Sequence, residues 1–306
     1  RDILQSDAVL MKELAGTYRK YVIQESEEIR AELIQLYPDL KMYQKAGALL
    51  ELSGRRESDV GEIEILSAES AGDEEFGLNA EEILKYMKLF VGREDIYAID
   101  CLTEEGKRRN KEILQPLQPE VIKNHLAGKE TVSTYIQRSN ATVKYFVLDL
   151  DISKGVLLQV GEEEKQQYMK KCLEIAHGIC KELRKMGLEG LLEQSGCRGY
   201  HVWVFFREWI PVRYVNLLAD IIEKRAGALW KDSGIQAEFF PNKTRLRNGK
   251  RGQTLKLPWG IHPKTGNRSF FLNVDYRPYH NQKEVLNNVV SYSGNTVKRI
   301  LASNQL

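Results

Sequence analysis

Two aspartates two residues apart, Asp149 and Asp151, stand in the apolar run VLDLD. Strand side chains alternate, so on a strand both carboxylates leave one face while Leu148, Leu150 and Ile152 leave the other. Carboxylates placed side by side repel unless a cation lies between them. A chance surface pair is the competing reading, but Asp is depleted in strands and two on one face are costly there. The pattern predicts a metal site, and oxygen-only donors suit Mg2+ or Mn2+. Glu238, in QAEFFP, is a third carboxylate that meets the pair if its register allows. Three carboxylates are the usual complement of a two-metal phosphoryl-transfer site. The plainer reading is a lone charge on an edge strand.

Further on, Ser195 and His201 flank the turn SGCRGYH. Its glycines leave backbone N–H groups accessible, and Arg198 adds a fork suited to phosphate, so the turn reads as an anion holder. An ordinary glycine hairpin with a half-buried His fits the same letters. The stretch KTRLRNGKR holds Lys243, Arg245, Arg247, Lys250 and Arg251, five basic residues in nine, and reads as a loop that tracks a nucleic-acid backbone. LKLPWGIHPKTG then brings Lys256, His262 and Lys264 together. A lysine on a strand beside the metals is placed to neutralise a triphosphate.

These groups need a scaffold. Strand character marks 143–151, 190–195, 200–206 and 235–240, and amphipathic helices are expected at 161–186 and 211–229. On the second helix Tyr214, Leu217, Leu218, Ile221 and Ile222 are expected to face inward. The order β-α-β-β-α-β predicts an α+β fold of the RRM-like, ferredoxin-like split βαβ type. It has one four-stranded sheet, two helices on one face and the other face open. Apolar segments at 254–259 and 269–274 and a last helix at 283–290 follow. Upstream, helices are expected within 3–36 and 43–52, an acidic linker at 55–78, and a helix at 80–90 opened by Asn79. The divisions are thus a helical N-terminal region (1–54), the linker (55–78) and a catalytic part (79–306).

Net charge is only +2 on 306 residues, with 45 Lys and Arg against 43 Asp and Glu. This is a cancellation: the first hundred residues are acidic on balance, whereas residues 231–306 carry 13 basic against 4 acidic side chains. Such asymmetry points the second part toward a polyanion. No apolar run is long enough for a membrane helix. The start, Arg1-Asp2-Ile3, is no secretory signal, and its lack of Met suits a piece of a longer protein. Four cysteines without a CxxC pair fit a reducing, cytoplasmic setting and no structural zinc. His177, Cys172 and Cys180 read as helix and core residues.

Taken together, VLDLD, SGCRGYH, AEFFP and LKLPWGIHPKTG resemble the archaeo-eukaryotic primase superfamily, over roughly residues 83–275. The likeness is nearest to primase-polymerases of prokaryotic mobile-element and defence loci, CRISPR-associated ones included. The upstream LFVGREDIYA resembles a segment before the catalytic core of those relatives. The resemblance implies that Asp149 and Asp151 are the first metal-binding pair and Glu238 the third carboxylate, with Asp275 as competitor. It implies that Ser195 and His201, helped by Arg198, hold the incoming triphosphate, and that Lys256 and His262 contact nucleotide phosphates. The activity implied is template-directed synthesis or extension of primers on single-stranded DNA from NTPs or dNTPs, with Mn2+ or Mg2+. Fused or operon-encoded defence or mobile-element proteins are further implied partners. Trp203, Trp259 and Tyr276 are candidate base-stacking surfaces.

Two other readings compete. RGYHVWVF superficially tracks the third-strand consensus of an RRM, which would make the chain a non-catalytic single-stranded nucleic-acid binder. Two aspartates on the first strand, where an RRM stacks bases on aromatics, speak against it. A gap-filling end-joining polymerase is the other, with no ligase or nuclease segment in these 306 residues to favour it.

Overall fold

The computed structural model describes residues 76–242 and 251–304. The helices expected in 1–54, nearly all of the acidic linker, and the basic-loop residues Lys243, Arg245, Arg247 and Lys250 lie outside the described residues.

The first described helix, α1 (Ala80–Phe90), begins where expected. Asn79 accepts from the Glu82 backbone N–H while the Glu82 carboxylate accepts from that of Asn79, a reciprocal cap that satisfies two free N–H groups. The next fifty residues hold four elements that the hydrophobic pattern leaves unmarked: β1 (Tyr97–Leu102), β2 (Arg108–Ile113), α2 (Pro119–Leu126) and β3 (Thr131–Tyr135). The reason is plain in β2, whose sequence RRNKEI is polar up to its last residue, Ile113, and almost wholly exposed. Its place comes from pairing with β1, not from burial.

Beyond them the predicted order appears: β4 (Thr142–Ile152), a single turn α3 (Lys154–Leu157), α4 (Glu162–Lys185), β5 (Leu191–Gln194), β6 (Gly199–Pro211), α5 (Val212–Trp230) and β7 (Ile235–Phe240). Leu183 and Cys180 of α4 are buried, as the apolar spacing requires. On α5 the inward stripe is Val215, Leu218, Ala219, Ile222 and Ala226. Leu217 is exposed and Tyr214 and Ile221 are half-buried, so the expected face was rotated. The two apolar segments become short strands, β8 (Thr254–Lys256) and β9 (Phe270–Leu272). The expected last helix is reduced to a 3-10 turn (Gln282–Glu284) and α6 (Val285–Asn288). An unexpected strand β10 (Ser291–Tyr292) and helix α7 (Gly294–Asn304) follow.

Two sheets result. The first has the order β2-β1-β3-β8, and the second β7-β4-β6-β5-β9, with β10 parallel to β6. Within the second, the split βαβ set runs β7-β4-β6-β5, so the first and third strands are central and β7 lies beyond β4.

One face of this sheet is only half open. Across β4 and β6 the partners are Tyr145 with Phe205, Val147 with Trp203, Asp149 with His201, and Asp151 with Gly199. Facing partners share a face. The aromatic half is closed by Phe90 of α1, which packs edge-on against Trp203 and Phe205 and stacks on Phe271 at 5.6 Å. The Tyr145 hydroxyl donates to the Phe90 carbonyl at 2.8 Å, and the Tyr86 hydroxyl to Pro258 at 2.6 Å. Trp259 completes the cluster, its indole N–H held by Gln282 at 3.0 Å. Among the described residues no helix is long and apolar enough to cross a membrane.

Candidate active site

The open half of the face carries the predicted chemistry. Glu238 on β7 stands opposite Asp149 on β4, and His201 on β6 stands opposite Asp149 on its other side. Asp151 is one step along β4 on the same face. Three strands thus bring Asp149, Asp151, Glu238 and His201 together, although 37 residues separate His201 from Glu238 in the chain. Asp275 does not join them. It follows β9, which is three strand positions from β4, and it sits on a turn where its N–H bonds Asn273 at 2.9 Å.

Asp149 is a strongly perturbed carboxyl. Burial, with Asp151 and Glu238 adding to it, raises its pKa to about 7 against the opposing pull of His201 and Arg198. Its Oδ1 is buried without a hydrogen-bond partner, and the nearest ring nitrogen, His201 Nε2, is 3.5 Å away. An orphaned carboxylate oxygen beside two further carboxylates fits a hard divalent cation in both charge and donor type. Among the described residues no three His, Cys, Asp or Glu side chains already converge into a metal cage. Arg198 holds Asp151 Oδ2 at 2.5 Å and Gln253 holds Glu238 Oε1 at 2.6 Å, so each contact occupies one oxygen of its carboxylate.

The Ser195–Arg198 turn abuts the carboxylates. The Ser195 N–H donates to the Gly199 carbonyl, and the Ser195 hydroxyl oxygen accepts from the Cys197 N–H at 3.3 Å. Gly199 is required by proximity: a Cβ there would lie 1.8 Å from the Leu150 carbonyl and 2.8 Å from the Asp151 carboxylate. Gly196 takes φ +77° and lies against the second turn, where a Cβ would meet the Asn267 carbonyl at 2.8 Å. Thr265 donates to the Gly196 carbonyl at 2.7 Å, so the two turns form one wall.

His262 lies in that second turn and is largely buried. Burial first, then the charges of Arg108, Lys256, Lys264 and Arg198, lower its pKa to about 4. The ring is therefore neutral at pH 7. Its Nδ1 accepts from the Lys264 N–H at 3.3 Å, which leaves the proton on Nε2. A neutral donor within reach of four cations is an anion-binding environment.

Lys256 is a correction. It is buried, and its ammonium donates to Ser269 Oγ at 2.8 Å and the Gly260 carbonyl at 3.2 Å, with the Leu257 carbonyl at 3.5 Å. Its hydrogen bonds are directed into the protein, so it does not reach out to a triphosphate. Trp203 and Trp259 are corrections too: both are fully buried in the aromatic half and offer no surface to a base. Tyr276 is half-buried and lies against the ring of His177, which stands on α4, at 4.4 Å. Arg251, the described end of the basic stretch, is ion-paired with Glu112.

The motif reading passes over Glu193. It is fully buried on β5, opposite His201, and its Oε2 accepts from His201 Nδ1 at 2.8 Å and Trp203 Nε1 at 2.9 Å. Burial alone would raise its pKa. The His201 charge, the His201 hydrogen bond and the Lys256 charge outweigh burial and hold it below the ordinary carboxylate range. His201 is the mirror case: burial lowers its pKa, but Glu193 and Asp149 raise it further, and the net shift is upward. The signal was in the hairpin. Pairing Ser195 with Gly199 across the turn places Gln194 opposite Tyr200 and Glu193 opposite His201.

Among solved structures the chain is similar to the polymerase domain of Mycobacterium tuberculosis Ligase D in complex with DNA, at 16% identity, covering 76% of this chain and 88% of that one, with a TM-score of 0.36. It is similar to the archaeo-eukaryotic primase domain of the cyanophage S-2L primase-polymerase, at 12% identity, 69% and 97% coverage and a TM-score of 0.33. The catalytic domain of primase RepB′ in complex with initiator DNA gives 11% identity, 76% and 94% coverage and a TM-score of 0.36. No curated protein matches. The profile of the archaeo-eukaryotic primase domain of TOTE conflict systems matches residues 81–300, more than two-thirds of the chain. The chain therefore belongs to the archaeo-eukaryotic primase domain family of TOTE conflict systems, and so to the primase-polymerase class of nucleotidyltransferases.

Proposed function

We propose that the chain catalyses template-directed nucleotidyl transfer, making or extending primers on single-stranded DNA. The observation that carries this reading is the cross-strand row Glu238–Asp149–His201, with Asp151 beside it and the Ser195–Arg198 turn at its end. Asp149, Asp151 and Glu238 are the residues that would hold Mn2+ or Mg2+. Such cations, when bound, favour deprotonation of an attacking 3′-hydroxyl and neutralise charge on a departing pyrophosphate.

The chain's own residues do the rest. Ser195 and His201 meet the triphosphate of the incoming NTP or dNTP from the hairpin side. Arg198 leaves Asp151 for a phosphate, and the neutral His262 donates from the second turn. Lys264 and Arg108 add positive charge without entering the carboxylate cluster. The basic stretch Lys243, Arg245, Arg247, Lys250 and Arg251 follows the template backbone, so template affinity falls with salt. A conflict-system setting, with fused or operon-encoded defence or mobile-element proteins as partners, belongs to the same proposal.

The non-catalytic RRM-like alternative is disfavoured by Trp203 and Phe205. On the face that carries His201 they lie buried beneath Phe90 and so present no ring to a base. The deciding experiment incubates the full chain with single-stranded DNA, Mn2+ and either nucleotide set, with and without a primer. Cation-dependent products that vanish in Asp149→Ala are expected. Cation-independent DNA binding with no product under any condition would overturn the catalytic reading.

A further inference from the structure

Glu193 has no part in the motifs, yet it lies under the reacting face. It is fully buried, and one of its oxygens takes two N–H donors, His201 Nδ1 at 2.8 Å and Trp203 Nε1 at 2.9 Å. An ionised carboxylate is costly to bury unless its charge and lone pairs are answered. Its Oε2 is answered by His201 and Trp203, and the charge of Lys256, the residue that the motifs directed at a triphosphate, offsets the rest, while Oε1 is buried without a hydrogen-bond partner.

The geometry resembles the arrangement in which a carboxylate behind a histidine fixes the ring's tautomer and rotation. An ionised carboxylate only accepts, so His201 Nδ1 carries the hydrogen. Nε2 is then the ring atom presented on the Asp149 side, 3.5 Å from Asp149 Oδ1. Trp203 makes the support rigid. Its indole is fully buried and stacked on Phe205 at 5.8 Å, so the Glu193 oxygen is held from a side that cannot move.

We propose that Glu193 is a positioning residue for His201, fixing the ring so that Nε2 faces the nucleotide site. This rests on the reading of His201 as a contact to the incoming nucleotide. Glu193 is not catalytic itself, since His201 stands between it and that site.

The test uses the full chain in primer extension, with the nucleotide titrated at fixed Mn2+ and saturating primer-template. Glu193→Gln keeps the shape but loses the charge that commits Nδ1 as donor. It should raise the nucleotide KM about 10–100-fold with a smaller change in kcat, while DNA affinity and the unfolding midpoint stay near wild type. Combined with His201→Ala, it should add nothing. Nitrogen-15 spectra of the wild-type histidines should show the His201 hydrogen on Nδ1, a readout that needs no variant to fold.

A wild-type KM in folded Glu193→Gln would overturn the positioning role while leaving His201's own role intact. So would an undiminished Glu193 effect in the His201→Ala background, or an Nδ1 without its hydrogen. An unchanged nucleotide KM in His201→Ala would overturn the underlying nucleotide-contact reading, and the positioning role with it.

Discussion

The two halves of one sheet face differ more than any two elements of the molecule. Along β4, Tyr145 and Val147 lie in the closed half, and Asp149 and Asp151 in the open half. Along β6 the facing residues run Phe205, Trp203, His201, Gly199. In the closed half, rings from α1, β6, β9 and the Trp259 segment fill the space, and the indole and phenol groups among them have hydrogen-bond partners. In the open half, carboxylates press together, and the buried Asp149 Oδ1 has no hydrogen-bond partner. The first half provides rigidity and the second stores electrostatic cost, which marks it as the candidate site. Glu193 joins them, with one oxygen bonded to a ring from each half.

Substitutions in the two halves should therefore fail differently. Asp149→Ala should lower product formation on the order of 10³-fold or more while leaving the unfolding midpoint nearly unchanged, because the lost oxygen Oδ1 has no hydrogen bond to give up. Steady-state extension and thermal unfolding on one preparation check both. Phe90→Ala should do the reverse. It should cost about 3–5 kcal/mol of stability by opening a cavity among the rings, and activity per folded molecule should hold. Loss of activity in a fully folded Phe90→Ala protein would break the comparison.

Glu238→Gln should slow extension about 10–100-fold. Asp275→Asn should have little effect, because Asp275 sits beyond the opposite edge of the sheet from β7. The inverse result would give the third carboxylate to Asp275.

The smallest effect belongs to pH and lies away from the carboxylates. His125 is fully buried, takes the Val132 N–H on Nδ1 at 3.0 Å, and turns Nε2 to the Leu257 and Pro258 carbonyls, both at 3.1 Å. Burial, then the Lys256 charge, lowers its pKa to about 3 against its backbone hydrogen bonds. The unfolded chain thus binds a proton near pH 6.5 that the folded chain refuses until about pH 3. Stability is retained above pH 6.5 and is lost as pH falls from there toward 3. His125→Gln should remove about 1–3 kcal/mol of that acid-dependent loss, measured by denaturant unfolding across the range.

Much of the open half was legible without coordinates. Asp149 and Asp151 are local, since period-two alternation alone places them on one face. The hairpin, the two long helices and the strand order followed from patterns within short windows, and that order makes β4 and β6 central. The Ser195–Gly199 pairing even carried the position of Glu193, had the register been counted. The polar strand β2 was not legible, because a strand held by pairing alone carries no apolar period.

What only the tertiary structure decided is what each side chain faces from a distant element. Trp203, Trp259 and Lys256 looked available because their letters sit beside catalytic motifs. They are buried because α1, more than a hundred residues upstream of Trp203, lies across the rings, and because Ser269 and a backbone carbonyl take the ammonium. Glu238 rather than Asp275 stands by Asp149 because β7 pairs directly with β4 while β9 pairs with β5. Sequence spacing determines which face a residue leaves. Whether that face meets solvent, a ring or an opposing charge depends on packing between elements far apart in the chain.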